Sequence, residues 1–450
     1  MNGADQILVT DCNSPAATTP SCPTGVNEAP RPLRILIVCT TFPPRGGSGI
    51  QRVYYQAELL AAAGHDVWVV TEDASGSWVT DDSFKPVHVH SDRIKRIPSR
   101  LTPLHRARRR IGKYWAAARL YPDDHACWRA GAFQEAARIA AAVDVVLVSV
   151  GSPSALEVAY RLKQKSPTLS LVIDVRDLWV GNPVRFGGRG RLQPMRALRD
   201  RINERRWFSG ADGIINVSKN HSEVLQDRYS ETPKERFHVI QNGFDEARFA
   251  NAVPHRNDKS GLLIRYLGFL LPEQRSEVFF NALKEVADSD IAGGQDIRCE
   301  FYGGNPKFIE REARKAGVYD LVETHGYVEH DKAISLMMGA DVLLLFWTND
   351  PGCMCGKFYE YLRSGSYILA FDQNNSDARE VLEASSRGEW VPINNKEAQV
   401  AKLRELIELR RSGTPIQSDN LPEITEFSRQ SQIEHLASIL AATTTANALV

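Results

Sequence analysis

The sequence predicts an α/β protein made of two doubly wound, Rossmann-like domains. Three observations support this fold class. Short apolar, β-branched runs alternate with amphipathic helical patterns along most of the chain. A glycine-rich loop directly follows the first of these runs, and a polar stretch at 251–261 separates two series of alternating elements. At roughly 150 residues per domain, a chain of 450 residues has room for two or three domains.

The first series begins with LRILIVCTTF at 33–42, continues through a glycine loop into a helix, and reaches the run VWVVT at 67–71. Apolar strands joined by a helix in this way indicate a parallel sheet buried on both faces. Four further runs are expected to be buried strands, at 142–150, 169–175, 211–218 and 236–243. We therefore assign 31–255 to an N-terminal Rossmann-like domain, and expect 1–30 to be a disordered tail.

The second series has the same pattern. Strands are predicted at 262–268, 297–304, 321–328, 340–347 and 366–372, with helices at 277–287 and around 358–365. These elements define a C-terminal Rossmann-like domain at 256–422. The amphipathic pattern that follows predicts a final helix within 423–450, one that can cross back to the N-terminal domain before a frayed tail.

Composition excludes several classes of protein. Lys plus Arg and Asp plus Glu both total 55, which disfavours nucleic-acid binding through bulk positive charge. The seven cysteines form no paired framework, so a disulfide-stapled secreted protein is not expected. The N-terminus has no signal-peptide pattern, and no run reaches the roughly 18–20 apolar residues that a membrane span needs. We expect a cytoplasmic location.

Two segments depart from this neutral balance. Residues 93–119 contain ten basic side chains and no acidic one, and residues 185–206 contain eight arginines against Asp200 and Glu204. Three interpretations are open for each segment: a solvated helix face, a surface that docks on anionic lipid or on a phosphate-bearing acceptor, or a nucleic-acid surface. The second possibility makes the protein peripheral to the inner face of a membrane.

Two motifs carry candidate chemistry. The loop at 43–49, with Gly47 and Gly49, joins a strand to a helix, where backbone amides favour an anion, although a tight turn also explains its glycines. In GCMCGKFYEYLRSGSYILAF at 352–371, Lys357 and Glu360 lie three residues apart on a predicted helix. A lysine there can neutralise phosphate and a carboxylate can accept ribose hydroxyls, or the two can form an ordinary surface pair.

Taken in order, these strings resemble the GT-B glycosyltransferases of family four. The resemblance rests on ILIVCTTFPPRGGSGIQRV near the start, on VIQNGFD before the linker and on GKFYEYLRSGSYILA late in the chain, and it spans residues 33–440. It implies two Rossmann-like domains facing each other across a cleft, with 31–255 as the acceptor domain and 256–422 as the nucleotide-sugar donor domain. It also implies retaining, metal-independent transfer of a sugar from a nucleotide-sugar to an acceptor hydroxyl. Such enzymes often build polysaccharide or lipid-linked glycans.

The resemblance also implies roles for individual residues. Arg275 and Lys357 would hold the donor diphosphate and Glu360 its ribose. Gly47 and Gly49, also counted as donor-binding, would approach the donor or the acceptor from the other domain. Two further candidates, Arg176 and Asp177, stand where many members of the family have a catalytic histidine. These two either form a buried ion pair or face the sugar and the acceptor. The sequence departs from the family's usual pair of glutamates, because Gly352 occupies the first position.

No metal or other cofactor is expected. The pair Cys353 and Cys355 has no further ligand at metal spacing, and the acidic string at 288–290 ends a predicted helix. Four histidines are expected to be packed or on the surface rather than to act as bases: His65, His221, His325 and His330. The predicted function is sugar transfer in polysaccharide or glycolipid biosynthesis. The alternatives are a catalytically degenerate binding or scaffold protein, or another GT-B enzyme such as a nucleotide-sugar epimerase or an inverting transferase.

Overall fold

The structure is a computed structural model. It describes residues 31–43, 48–72, 93–99, 121–181, 193–256, 261–289, 297–347, 350, 352–372, 376–417 and 422–448. The predicted tail at 1–30 lies outside these ranges.

The first sheet is parallel throughout and has the strand order β3-β2-β1-β4-β5-β6-β7. Its strands are β1 (Arg34–Val38), β2 (Asp66–Glu72), β3 (Ile94–Ser99), β4 (Val145–Val150), β5 (Ser170–Val175), β6 (Gly213–Asn216) and β7 (Phe237–Val239). Strands β4 and β5 are buried along their whole length, as expected of parallel strands covered by helices on both faces. The continuous apolar runs of the sequence form the centre of this sheet.

Helices cover both faces of the first sheet and connect its strands. They are α1 (Ser48–Ala62), α2 (Arg129–Ile139), α3 (Pro153–Lys165), α4 (Gln193–Phe208) and α5 (Lys219–Arg228). A short helix, α6 (Glu246–Asn251), follows the sheet and leads to the second one. The segment 252–256 packs against the second domain, since the His255 amide donates to the Ser335 carbonyl at 2.7 Å.

The second sheet is also parallel, with the order β10-β9-β8-β11-β12-β13. Its strands are β8 (Leu262–Leu267), β9 (Ile297–Tyr302), β10 (Val322–His325), β11 (Val342–Phe346), β12 (Tyr367–Asp372) and β13 (Gly388–Pro392). The helices are α7 (Glu277–Ala287), α8 (Pro306–Ala316), α9 (His330–Met338), α10 (Gly356–Ser364), α11 (Asp377–Ser385) and α12 (Lys396–Ser412).

The last helix, α13 (Arg429–Ala448), packs on the first sheet although it follows the second one in the chain. Its buried residues Ile433, Leu436, Ile439 and Leu440 join the apolar cluster that contains β1 and α1. The chain therefore passes between the two sheets twice. The two passages touch, because the Phe244 amide donates to the Phe427 carbonyl at 3.1 Å and the Arg429 amide donates to the Phe244 carbonyl at 2.8 Å.

Some element bounds differ from the sequence-based expectation. Residues 94–99 form an edge strand paired with β2, so the start of the basic segment 93–119 belongs to the sheet. Lysine and arginine are common on such edges because they oppose pairing with another chain. Strand β7 ends at Val239, short of the predicted limit of 243, because residues 240–243 turn towards the second domain.

Candidate functional site

A cleft lies where the strand order of both sheets reverses. In the first sheet this reversal falls between β1 and β4, and in the second between β8 and β11. In open α/β sheets such points bind ligands, because neighbouring loops diverge there at the carboxyl ends of the strands. The cleft has a volume of about 270 Å³ and is lined by α1, by 240–243, by 353–356 and by the start of α13. Both domains thus contribute to its walls.

A buried ion pair forms the floor of the cleft. The Asp174 carboxylate is fully buried and receives hydrogen bonds from the Arg52 guanidinium at 2.7–3.1 Å and from the Gln56 amide at 2.9 Å. Arg52 also donates to the carbonyl oxygens of Ile240 and Gln241, at 2.9 and 3.1 Å. A buried charge needs such partners. The network fixes α1 against the end of β5 and against the segment that leaves the first domain.

The predicted residues of the first domain lie beside this pair. Arg176 lines the cleft and donates a hydrogen bond to the Gly49 carbonyl. Asp177 also lines the cleft and is exposed, which excludes a buried Arg176–Asp177 ion pair. Since Asp174 takes the buried position, Asp177 is left at the opening of the cleft. Gly47 lies outside the described residues.

Lys357 lies in the first turn of α10, at the end of β8. Its ammonium is 3.0 Å from the Tyr266 hydroxyl and 4.1 Å from the centre of the Tyr266 ring. A Cβ atom at position 268 would lie 3.2 Å from this ammonium, so the absence of a side chain at Gly268 leaves space for Lys357. The φ angle of Gly268, 137°, also favours glycine there. Lys357 is therefore a half-buried cation at the reversal point of the second sheet.

Arg275 lies in the loop between β8 and α7. Its φ of 50° falls in the left-handed region, which residues other than glycine adopt rarely. The guanidinium is half-exposed and lies 3.3 Å from the Glu277 carboxylate. The backbone strain is confined to a loop at the reversal point, as is common at functional sites.

The Glu360 carboxylate contacts different residues from those that contact Lys357. Its carboxylate is 2.8 Å from the His330 ring and 3.7 Å from the Arg429 guanidinium. Burial alone would raise the pKa of Glu360, but the hydrogen bond from His330 and the charge of Arg429 outweigh it, so the pKa is lower than usual. The carboxylate is therefore ionised and can accept further hydroxyl donors.

Arg429 joins the two domains at the edge of the cleft. Its guanidinium donates to the Gly243 carbonyl at 3.1 Å and to the Gln51 side chain at 3.2 Å. It also stacks on the Tyr55 ring, 3.6 Å from the ring centre. The first residue of α13 thus contacts α1 of the first domain and approaches Glu360 of the second.

The structure explains the glycine at 352. The His221 ring occupies the adjoining space, and a Cβ at 352 would lie 2.1 Å from its Cδ2 atom. Burial would raise the Asp350 pKa, but His221 Nε2, 3.0 Å from the carboxylate, and the Gly352 amide together outweigh burial and lower this pKa. His221 belongs to the first domain and Asp350 to the second. No larger residue fits at 352 unless one of these groups moves.

The structure brings Gly49, Arg176 and Asp177 to one side of the cleft, with Lys357, Glu360 and Arg275 on elements of the other domain. Lys357 and Glu360 have separate partners although they are three residues apart. Sequence reasoning missed four residues of the site: Arg52, His221, His330 and Arg429. Their partners lie between 30 and 378 residues away in the chain, so no local pattern marks them.

Two other kinds of site are absent from the described residues. No cluster of three or more His, Cys, Asp or Glu side chains there could hold a metal ion. Within the same ranges no helix has the length and apolarity to cross a membrane. Asp288 ends α7 and pairs with Lys284.

Two family models match the chain. The model of Glycosyltransferase Family 4 matches residues 47–248, and that of Glycosyl transferases group 1 matches residues 248–419. The boundary between the matches coincides with the passage from the first sheet to the second. The two sheets with their shared cleft define a GT-B protein. The chain belongs to the group 1, family 4-type glycosyltransferases of that fold. Among curated protein sequences none matches this chain significantly.

Solved structures have the same fold at low sequence identity. HepE of Anabaena, in complex with UDP and glucose, is 14% identical over 91% of this chain and 100% of its own, with a TM-score of 0.60. WaaG, a glycosyltransferase involved in lipopolysaccharide biosynthesis, is 16% identical over 92% and 99%, with a TM-score of 0.54. A putative UDP-N-acetylglucosamine 2-epimerase from Listeria monocytogenes is 11% identical over 91% and 96%, also at 0.54. The likeness to a putative epimerase means that the fold alone does not identify the reaction.

Proposed function

We propose that the protein transfers a hexose-type sugar from a nucleotide-sugar donor to an acceptor hydroxyl, with retention of configuration and without a metal. The observation that carries the proposal is the cleft at the reversal points of the two sheets. Arg52, Arg176 and Arg429 line it, and the helix α10, which carries Lys357 and Glu360, begins at its wall. The family matches and the complex of HepE with UDP and glucose support a nucleotide-sugar as donor.

The donor would bind to the second domain. Lys357 would neutralise the diphosphate, and Arg275 would join it once its exposed pair with Glu277 opens. Both cations would then stabilise the negative charge that develops on the leaving nucleoside diphosphate, an effect that grows where water is excluded. Glu360, ionised and held by His330, would accept the ribose hydroxyls.

The acceptor would bind to the first domain. Gly49, Arg176 and Asp177 face the cleft from the ends of β1 and β5, with Gly47 expected in the same loop. Arg176 and Asp177 would contact the transferred sugar and the acceptor hydroxyl. We propose a glycan or a lipid-linked acceptor, in polysaccharide or glycolipid biosynthesis in the cytoplasm, with no nucleic-acid partner. The likeness to WaaG supports this kind of pathway.

The first test is donor binding, measured as thermal shift with UDP-, GDP-, ADP- and dTDP-sugars, each with magnesium or with EDTA. A ligand at 100 times its Kd stabilises a protein by about 2.7 kcal/mol. We expect a shift with one nucleotide that EDTA leaves unchanged, and roughly 100-fold slower transfer in Lys357→Ala. Lys315→Ala, an exposed lysine on α8, serves as the matched control. Normal transfer by Lys357→Ala would refute the site.

A second candidate is a nucleotide-sugar-binding protein without turnover. The observation that favours it is the His221 ring beside Gly352, which excludes the side chain that many members of the family carry there. Donor binding without transfer, and without hydrolysis of the donor, would support this candidate.

In the proposed enzyme the transferred sugar keeps its anomeric configuration, which proton NMR of the product shows directly.

A further inference from the structure

The outward face of α4 combines exposed apolar side chains with arginines. Met195, Leu198 and Ile202 are 73%, 61% and 59% exposed. Their spacing of three and then four residues places them in one stripe along the helix. Large apolar residues rarely lie in exposed rows, and such a row marks an interaction surface.

The charges of α4 are sorted between its two faces. Five arginines are exposed: Arg196, Arg199, Arg201, Arg205 and Arg206. Both acidic residues of the helix, Asp200 and Glu204, are only 1% exposed. Glu204 receives hydrogen bonds from the Val180 amide at 2.9 Å and from the Tyr229 hydroxyl at 2.6 Å. The acids that balance the arginines in the sequence are therefore absent from the outward face.

Contacts with neighbouring elements hold several of these arginines in place. Arg199 stacks on the Tyr121 ring at 3.8 Å, and Arg206 donates to the Tyr160 hydroxyl at 3.2 Å. Among the described residues, Arg205 alone of the five pairs with a carboxylate, that of Glu231. Within the described part of the chain the other four arginines have no carboxylate partner, so positive charge remains beside the apolar stripe.

We propose that this face of α4 docks the protein on the surface of an anionic phospholipid bilayer. The apolar stripe would enter the boundary between headgroups and acyl chains, and the flanking arginines would reach lipid phosphates. The stripe distinguishes lipid from nucleic acid, which would use the charges but leave three apolar side chains in water. The proposal concerns only the part of 185–206 that belongs to α4. Residues 182–192 lie outside the described ranges, as do residues 100–120 of the other basic segment.

The position of α4 connects this surface to the cleft. Arg196 donates to the Pro122 carbonyl at 3.0 Å, and the adjoining Asp123 bonds Ser152 and Ser154 at the carboxyl end of β4. Strand β4 pairs with β5, and Arg176 and Asp177 at the carboxyl end of β5 line the cleft. Docking through α4 would place the opening of the cleft near the lipid surface, where a lipid-linked acceptor would be presented. This last step rests on the proposed function; the docking itself does not.

The test is co-sedimentation of the full chain with vesicles of phosphatidylcholine, with or without phosphatidylglycerol. We expect binding to anionic vesicles alone, weakened at least about tenfold in Leu198→Ser/Ile202→Ser and in Arg199→Glu/Arg201→Glu. Salt should weaken binding, because the arginines contribute Coulomb attraction. Val253→Ser and Arg311→Glu/Arg314→Glu, exposed positions elsewhere, are matched controls that should bind normally.

Three outcomes would overturn the proposal: binding that neither α4 variant weakens, equal binding to neutral vesicles, or self-association without vesicles that Leu198→Ser/Ile202→Ser abolishes. Binding to duplex RNA in place of vesicles, lost only in the arginine variant, would indicate a nucleic-acid surface instead. Donor-induced thermal shift, measured on the same variants without lipid, separates the two proposals. Loss of vesicle binding with a normal donor shift concerns α4, whereas an absent donor shift in the unmodified chain concerns the cleft.

Discussion

His65 acts as a hydrogen-bond acceptor in the first domain. It is 8% exposed, and its Nδ1 atom accepts a hydrogen bond from the Leu33 amide at 3.0 Å. An imidazolium has no free acceptor, so this bond requires the neutral ring. Burial also disfavours the charged form and lowers the His65 pKa below its usual value of 6.5.

This arrangement predicts a loss of stability in mild acid. Below pH 6.5 the unfolded chain binds a proton at residue 65 that the folded chain does not, so the free energy of unfolding falls as the pH drops towards the folded-state pKa. We expect His65→Asn, whose amide oxygen can accept the same bond, to reduce this dependence. Urea unfolding between pH 8 and 5 measures the effect. His65→Ala, which lacks the acceptor, should lose stability across the whole range.

A slope in His65→Asn equal to that of the unmodified chain would show that residue 65 does not contribute. Some dependence will remain in either case, because burial also lowers the pKa of His238.

At the scale of elements, the ion pair of Arg52 and Asp174 is the main polar link in the first domain. It joins α1 to β5 and, through the carbonyls of 240 and 241, to the segment that leaves the domain. Removing one partner leaves the other charge buried without compensation. The elements that this ion pair joins also form walls of the cleft.

Asp174→Asn keeps the shape of the side chain and removes its charge. We expect the free energy of unfolding to fall by about 3–5 kcal/mol, since the Arg52 charge would remain buried. Glu135→Gln makes the same chemical change in an exposed pair with Arg138 and should cost about 0.5 kcal/mol or less. Denaturant unfolding of both variants gives the comparison. Similar losses in the two would show that burial does not control the cost.

For the whole molecule, α13 determines how the domains are joined. Leu436 and Leu440 are fully buried against the first sheet, and the Ser170 hydroxyl of β5 donates to the Thr443 carbonyl at 3.2 Å. Helix α13, which follows the second domain in the chain, therefore completes the core of the first domain. Arg429, at the start of this helix, extends the same link into the cleft.

Leu436→Ala is expected to destabilise the first domain, because truncating a buried leucine costs about 2–5 kcal/mol. Hydrogen exchange should then become faster in β1, β5 and α1, with little change in β8 and β9. Glu434→Ala, an exposed change on the same helix, is the control. If exchange in β5 is the same in the two variants, α13 does not stabilise the first sheet.

The sequence determined the fold class and much of the fold, since buried parallel strands appear as apolar runs and the chain order places each βα unit. It also predicted the GT-B family, because the strings around the glycine loop and Lys357 are local. The tertiary structure alone decided which charges face inward. Asp174 rather than Asp177 is buried, Asp200 and Glu204 lie on the inward face of α4, and the His330 ring contacts the Glu360 carboxylate. The physical reason is that a charge is stabilised inside a protein only by partners that folding brings to it, and those partners lie far along the chain.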